Sequence, residues 1–314
     1  MSKLRMAVGM MAGALLLAAP AFSQIEKQGQ GQTIVTILPK QDGATPADVS
    51  AQNLKIQVNG KDSSITSFKP FGPATPLEMV VLIDGGARNG LGSQLSELAG
   101  FIQRLPPNAK VAVAYMQNGR ALFTGPLSED RALVQKGLHL PGGVPGMNAS
   151  PYFCISDLAK NWPSNDRTAR REVIAITDGV DNYDRRYDPD DPYLQAAITD
   201  SVRAGLVIYT IYWRDQGRAN NTNYENNAGQ NLMLQVTQAT GGRSYWEGMG
   251  NPVSFQPYLE DLNRRLRNQY ELSFVTNLNG KPEVATLKLK LKVPGSSVDI
   301  PNQVFVYHPG ATQD

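Results

Sequence analysis

The chain has 314 residues and carries 30 Lys and Arg against 28 Asp and Glu, a formal net charge of +2. That near balance argues against a general nucleic-acid binder, which needs a clustered basic excess. A single cysteine, Cys154, excludes an intramolecular disulfide, so an apolar core must hold the fold, and the length suffices for one large domain or two.

In chain order, residues 1–23 read as a secretory signal. Lys3 and Arg5 give the charged start, Met6 to Ala19 the apolar stretch, and Ala21-Phe22-Ser23 a small-x-small cleavage site before Gln24. The stretch is short for a bilayer span, and no later segment reaches about 18 uncharged apolar residues. The expectation is a secreted or periplasmic protein with no membrane span after cleavage.

Residues 24–76 read as an N-terminal β segment. Ile34 to Leu38 forms one strand, and Leu54 to Val58 alternates apolar and polar as a half-buried strand does. Asn59-Gly60 supplies a hairpin turn into Ser64 to Phe68. Residues 270–314 mirror this, with Tyr270 to Val275 and Glu283 to Val293 flanking Asn279-Gly280. Lys288, Lys290 and Lys292 recur at period two, the solvated face of a strand guarding an edge. The two flanks are expected to pair with each other, because an isolated hairpin is marginal in water.

Between them the pattern changes. Met79–Ile83, Val111–Tyr115, Val173–Ile176 and Leu206–Ile211 are near-continuously apolar, as strands buried on both faces must be. Helical patterns separate them. Leu91, Leu95, Leu98, Ile102 and Leu105 make one buried stripe. Asp191-Pro192 caps a helix that Gly205 closes. Leu232, Val236 and Ala239 mark another before Gly241-Gly242, and a last one, residues 257–269, points Leu259, Leu262 and Leu266 inward and its basic residues outward or to its end. Asn118-Gly119 signals one antiparallel edge hairpin. Cys154, in the apolar run PYFCISDLA, reads as a buried structural thiol.

Two apolar strands end on acids: LEMVVLID on Asp84, before a glycine-rich turn, and EVIAITD on Asp178. With the hairpin at Asn118-Gly119, the strand 206–211, the Gly241-Gly242 pair and the final amphipathic helix, residues 77–269 resemble a von Willebrand factor type A domain. VNGKDSSITSF before it and NQYELSFV after it resemble the flanks of secreted bacterial proteins that carry such a domain between β segments. The resemblance implies an α/β fold, a mostly parallel doubly wound sheet, with the flanks forming a small β module. It also implies a metal-ion-dependent adhesion site, whose ligands come from an Asp-x-Ser-x-Ser turn, a threonine and a later aspartate. Here Asp84 and Asp178 match the acids, Gly86 and Arg88 stand at the two serines, and Ser150 replaces the threonine. Two hydroxyls are gone, and a guanidinium about 4 Å from a divalent ion would oppose it by on the order of 8 kcal/mol at an effective dielectric of 20. The expectation is therefore a degenerate site without magnesium. Either Arg88 takes the cation's role beside Asp84 or Asp178, or it faces solvent.

Other readings are weaker. The acids Asp181, Asp184, Asp188, Asp190 and Asp191 lack the spacing of a calcium loop and read as a solvated surface loop. Gly86 to Gly92 matches the GxxxGxG turn of short-chain dehydrogenases, but no tyrosine has lysine four residues on. His139 and His308 lie in unrelated segments, and no serine sits in a GxSxG elbow. Tyr209, Tyr212, Trp213, Tyr245 and Trp246 could line a binding surface, though packing at strand ends is the commoner role. The expected function is non-catalytic, extracytoplasmic recognition of a protein or cell-envelope partner, on a rim comprising Asp84, Gly86, Arg88, Ser150 and Asp178. A structural envelope protein without a ligand site is the alternative.

Overall fold

The computed structural model describes residues 28–41, 48–88, 90–141, 150–214 and 222–310, without the side chain of Arg88. The expected signal segment lies outside the described residues.

The chain enters through β1 (Gln28–Pro39), β2 (Leu54–Val58) and β3 (Lys61–Pro70). Asn59 and Gly60 take φ of +48° and +75° between β2 and β3, the geometry that a tight hairpin turn demands and Asn-Gly tolerates best. The α/β part follows with β4 (Leu77–Asp84), α1 (Gly92–Arg104), β5 (Ala109–Gln117), β6 (Arg120–Phe123), α2 (Arg131–Lys136), α3 (Pro151–Lys160) and β7 (Arg170–Thr177). It is completed by α4 (Pro192–Ala204), β8 (Leu206–Tyr212), α5 (Asn223–Thr240), β9 (Ser244–Tyr245) and α6 (Gln256–Arg267). The chain returns through β10 (Gln269–Asn277), β11 (Glu283–Leu291), β12 (Ser296–Asp299) and β13 (Gln303–Val306).

The central sheet has the order β6-β5-β4-β7-β8-β9, parallel except for the β5–β6 hairpin at Asn118-Gly119. Every residue of β4, β7 and β8 is buried, because helices cover both faces. On one face α1 and α6 bring Leu98, Phe101, Ile102, Leu259 and Leu262 against Met79, Val81, Ile83, Ile174 and Tyr209. On the other, α3, α4 and α5 bring Ile155, Leu158, Leu194, Ile198, Met233 and Val236 against Val80, Leu82, Val173 and Ile208. Each fully buried aliphatic side chain contributes roughly 1.5–3 kcal/mol of transfer free energy. The helix ends follow their caps: Asp191 accepts from the amides of Tyr193 and Leu194, and Gly205 closes α4 at φ +68°. This is a mostly parallel, doubly wound α/β sheet with helices on both faces, the arrangement the resemblance implied.

The flanks join in one antiparallel sheet, β12-β1-β10-β3-β2-β11-β13. It curls until its end meets its beginning: the Gln30 and Tyr307 backbones exchange hydrogen bonds of 2.8 and 3.0 Å. Its interior holds Val35, Ile37, Ile56, Val58, Leu272, Phe274, Leu287 and Val306. Two expectations are corrected here. β10 and β11 flank Asn279-Gly280 but do not pair; β10 lies between β1 and β3, and β11 between β2 and β13. Long-range pairing between the flanks competes with the local hairpin and wins because it gathers the apolar faces of both flanks into one core. β11 is also not a simple edge. β13 covers Glu283 to Thr286, while Lys288 and Lys290, both exposed, pair on the β2 side alone. The last helix departs from expectation at Arg265, which is buried and bonds Asp261 at 2.7 Å and Asp299 at 2.6 Å, tying α6 to β12.

Candidate functional site

Strand order reverses between β4 and β7: the chain runs outward from β4 to β5 and β6, then returns on the other side. A crevice outside the carboxyl ends of the strands at such a switch point is where open α/β sheets bind ligands. Asp84 ends β4 and Asp178 directly follows β7, so the sheet itself places both acids there.

Both carboxylates are turned inward. Asp84 is 6% exposed; its Oδ1 accepts from the Gly86 amide at 2.8 Å and its Oδ2 from the Thr177 hydroxyl at 2.8 Å. Thr177 Oγ1 in turn accepts from the Gly179 amide at 3.1 Å. Asp178 is 3% exposed, with Oδ1 accepting from the Val180 amide at 2.9 Å. An aspartate that captures the amide two residues ahead makes a self-contained turn, and here it recurs along the loop after β7. Asp181 Oδ1 accepts from the amides of Tyr183 and Asp184 at 2.8 and 3.1 Å.

Ser150 is fully buried at the N-terminus of α3, and its hydroxyl donates to Asp181 Oδ2 at 2.9 Å. Its acid partner is thus Asp181. The reading of residues 181–191 as a solvated loop is corrected at its two ends: Asp181 and the capping Asp191 are buried, while residues 185, 186, 188 and 190 are exposed. Burial pushes the Asp181 carboxyl upward, against the hydrogen bonds that lower it. The Tyr152 hydroxyl donates to the Gly179 carbonyl at 2.7 Å. Burial, with Asp181 and Asp178 nearby, raises its pKa far above the ordinary value, so it stays a neutral donor.

Close backbone contact locks the loop. A Cβ on Gly229 of α5 would lie 2.4 Å from the Asp178 carbonyl, and one on Gly179, at φ +71°, would lie 2.4 Å from the Gly229 carbonyl. Two glycines facing each other let α5 press onto the acid-bearing turn.

The five expected rim positions therefore separate. Asp84, Gly86 and Asp178 meet at the switch point, Ser150 joins them through Asp181, and the side chain of Arg88 lies outside the described residues. Asp84, Gly86, Ser150 and Asp178 are buried, so they form the floor beneath the surface. Thr177 and Tyr152 escaped the sequence reading, and Asp181 was read only as part of a surface loop. The signal for Thr177 and Asp181 was the run Thr177-Asp178-Gly179-Val180-Asp181, in which acids three apart flank a glycine able to turn. These positions leave few hard oxygen donors of the kind magnesium takes: Asp84 already accepts at both oxygens, Gly86 offers no side chain, and the Ser150 hydroxyl donates to Asp181. The Gly86 amide, which a pyrophosphate would need, is likewise held by Asp84.

Aromatic side chains are among the exposed groups. Phe153, Tyr183 and Tyr193 pack edge to face at centroid distances of 5.1, 4.6 and 5.6 Å, and Tyr183 is 52% exposed. Tyr187 and Tyr224 pair at 6.2 Å, with Tyr224 71% exposed. Tyr209, Tyr212, Trp213 and Tyr245 are buried in packing, and only Trp246 of that set reaches the surface. The cavity beside Asp178 measures about 10 Å³, the room of one water at most. Cys154 is buried, and burial raises its thiol pKa well out of the nucleophilic range.

No protein-family model and no curated protein matches the chain. Among solved structures it is similar to an aerotolerance-related membrane protein from Bacteroides fragilis, at 12% identity and TM-score 0.43, over 60% of this chain and 98% of that one. It is similar to the SpRpn10 VWA domain at 13% identity and TM-score 0.39, over 60% of this chain and 93% of that one. A third is the pilus adhesin SpaC from Lactobacillus rhamnosus GG, at 9% identity and TM-score 0.43, over 86% of this chain and 48% of that one.

Proposed function

We propose that the chain is a non-catalytic protein-interaction module that works outside the cytoplasm and engages its partner without a bound metal. The observation that carries this reading is the aromatic rim. Tyr183 and Tyr193 are exposed and pack on Phe153, and their backbone amides are held by Asp181 and Asp191 in the loop after β7, on the carboxyl-end side of the sheet. Tyrosine presents a large, rigid contact area with a polar tip and is enriched at protein interfaces. The acids are bonded to neighbouring amides and hydroxyls, and the cavity beside Asp178 has the room of one water. The acids serve this function by holding the loop of residues 178–191 in shape, so that its tyrosines are fixed before contact, which lowers the ordering cost of binding.

The test is crosslinking capture from a cell-envelope fraction with the intact chain, alone, with chelator, and as the Tyr183→Ser/Tyr193→Ser variant. The expected result is a discrete captured protein that survives chelation and is lost with the tyrosines. Capture that vanishes with chelator, or that is equal in the variant, would overturn the reading.

A further inference from the structure

At the opposite end of the central sheet, where it rests on the curled β module, lies a cavity of about 110 Å³. Four arginines, Arg167, Arg170, Arg171 and Arg203, are among the described residues that line it, against one carboxylate, Glu271. Arg170 and Arg171 are buried at the start of β7, whereas Arg167 and Arg203 are exposed. The cationic lining therefore runs from the surface to the interior.

The two buried guanidiniums are incompletely compensated. Arg170 donates through Nη1 to the Leu266 carbonyl at 2.9 Å and to Gln269 Oε1 at 2.7 Å, and stacks 4.9 Å over Phe71. Arg171 donates through Nη2 to the carbonyls of Ser164 and Asp166 at 3.0 and 3.1 Å. Neutral carbonyls satisfy a donor and leave the charge in place. The Nε of each arginine is buried with no hydrogen-bond partner among the described residues. Desolvation lowers the pKa of both, which marks cations held without full counter-charge. The nearest acids do not settle the account. Glu172, beside Arg170, is itself pushed up to about 7 by burial, and the charges of Glu78 and Asp166 near Arg171 do not offset its desolvation. The C-terminus of α4 also faces the cavity and favours positive charge, but it engages Arg171 through a long 3.5 Å contact from Nη1 to the Ala204 carbonyl.

We propose that this cavity is a binding site for a small oxyanion, a carboxylate or a phosphate group, held between buried Arg170 and Arg171 and exposed Arg203. Guanidinium groups match such ligands because their planar donors pair with two oxygens at once. The site lies between the two halves of the molecule, so occupancy would also brace the α/β part on its β module. It is independent of the aromatic rim at the other end of the sheet.

Calorimetric titration of the intact chain with inorganic phosphate and, separately, with acetate, at constant ionic strength set with chloride, tests the proposal. Saturable binding of either anion at a Kd of about 1 mM or tighter is expected, and the tighter of the two identifies the source. Arg203→Glu, at an exposed position, should weaken binding at least about tenfold, and Glu271→Gln should strengthen it about threefold. Absence of saturable binding of both anions up to about 20 mM would overturn the proposal. Binding that neither substitution changes would overturn it as well, because the anion would then sit elsewhere.

Discussion

The two ends of the central sheet settle their buried charges by different means. At the carboxyl end, Asp84, Asp178, Asp181 and Asp191 each hold the amide two residues ahead, and Asp181 and Asp191 also the one three ahead. At the amino end, Arg170 reaches Leu266 and Gln269, 96 and 99 residues away, and Arg265 reaches Asp299, 34 residues away. Acids can be settled locally because the backbone supplies N–H donors at every step, and a short carboxylate reaches them within its own turn. A guanidinium needs carbonyls already released from secondary structure: Arg171 finds two in its own preceding loop, at Ser164 and Asp166, whereas Arg170 finds its partners at a helix end that only the tertiary fold brings near. The acid end is consequently closed and well satisfied, and the arginine end is left with unspent donors.

If the acid end is a locked loop, the largest effect should come from the contact that locks it. Gly229→Ala would drive a Cβ to 2.4 Å from the Asp178 carbonyl, and a clash with backbone on both sides has nowhere to relax. A loss of at least about 3 kcal/mol in chemical denaturation is expected. A melt like the parent's would mean that α5 and the loop are not pressed together.

At the arginine end the next largest effect is a dependence on pH. Glu172 is fully buried, neither oxygen has a hydrogen-bond partner among the described residues, and desolvation outweighs Arg170 and Gln269 to raise its pKa from 4.5 to about 7. Because the folded value is the higher one, the folded state keeps this proton longer. The favourable contribution is therefore full below about pH 4.5, is lost as pH rises to about 7, and stays lost above. Glu172→Gln should match the parent near pH 4.5 and exceed it by up to about 3 kcal/mol at pH 8. Urea midpoints of both proteins across that range decide it, and parallel curves would show that the carboxylate is charged and compensated in the fold.

A smaller effect is expected at Thr177. Thr177→Val keeps the shape but leaves Asp84 Oδ2 without a donor and the Gly179 amide without an acceptor. The expected cost is about 2 kcal/mol by thermal melting. A neutral result would show that the acid network is not cooperative. Smallest of all is Tyr183→Ser, at an exposed position, which should change stability by about 0.5 kcal/mol or less while abolishing partner capture. A large loss of stability would make Tyr183 part of the packing and remove it from the interaction surface.

Much of this was legible in the chain itself. Period and run length gave the apolar strands that became β4, β5, β7 and β8, the cap at Asp191 with Pro192 gave the start of α4, and Asn59-Gly60 and Asn118-Gly119 gave two real hairpins. Each of these is a property of a few neighbouring residues. Asn279-Gly280 carries the same local signal and yields no hairpin, because pairing in the β module is decided by strands more than 200 residues apart, such as Leu287 opposite Val58. Asp84 and Asp178 were readable as acids ending buried strands, and their place at the switch point follows from strand order.

By itself, then, the sequence determined the buried strands of the central sheet, most of the helices that cover it and the acids at the sheet's carboxyl end, since each depends on spacing within a turn or a strand. Only the tertiary structure decided that Ser150 serves Asp181, that Arg265 is buried between α6 and β12, and that Arg203 of α4 meets Arg167, Arg170 and Arg171 in one cavity. Those outcomes rest on which helix end or strand lies alongside which, and no local pattern of residues encodes that.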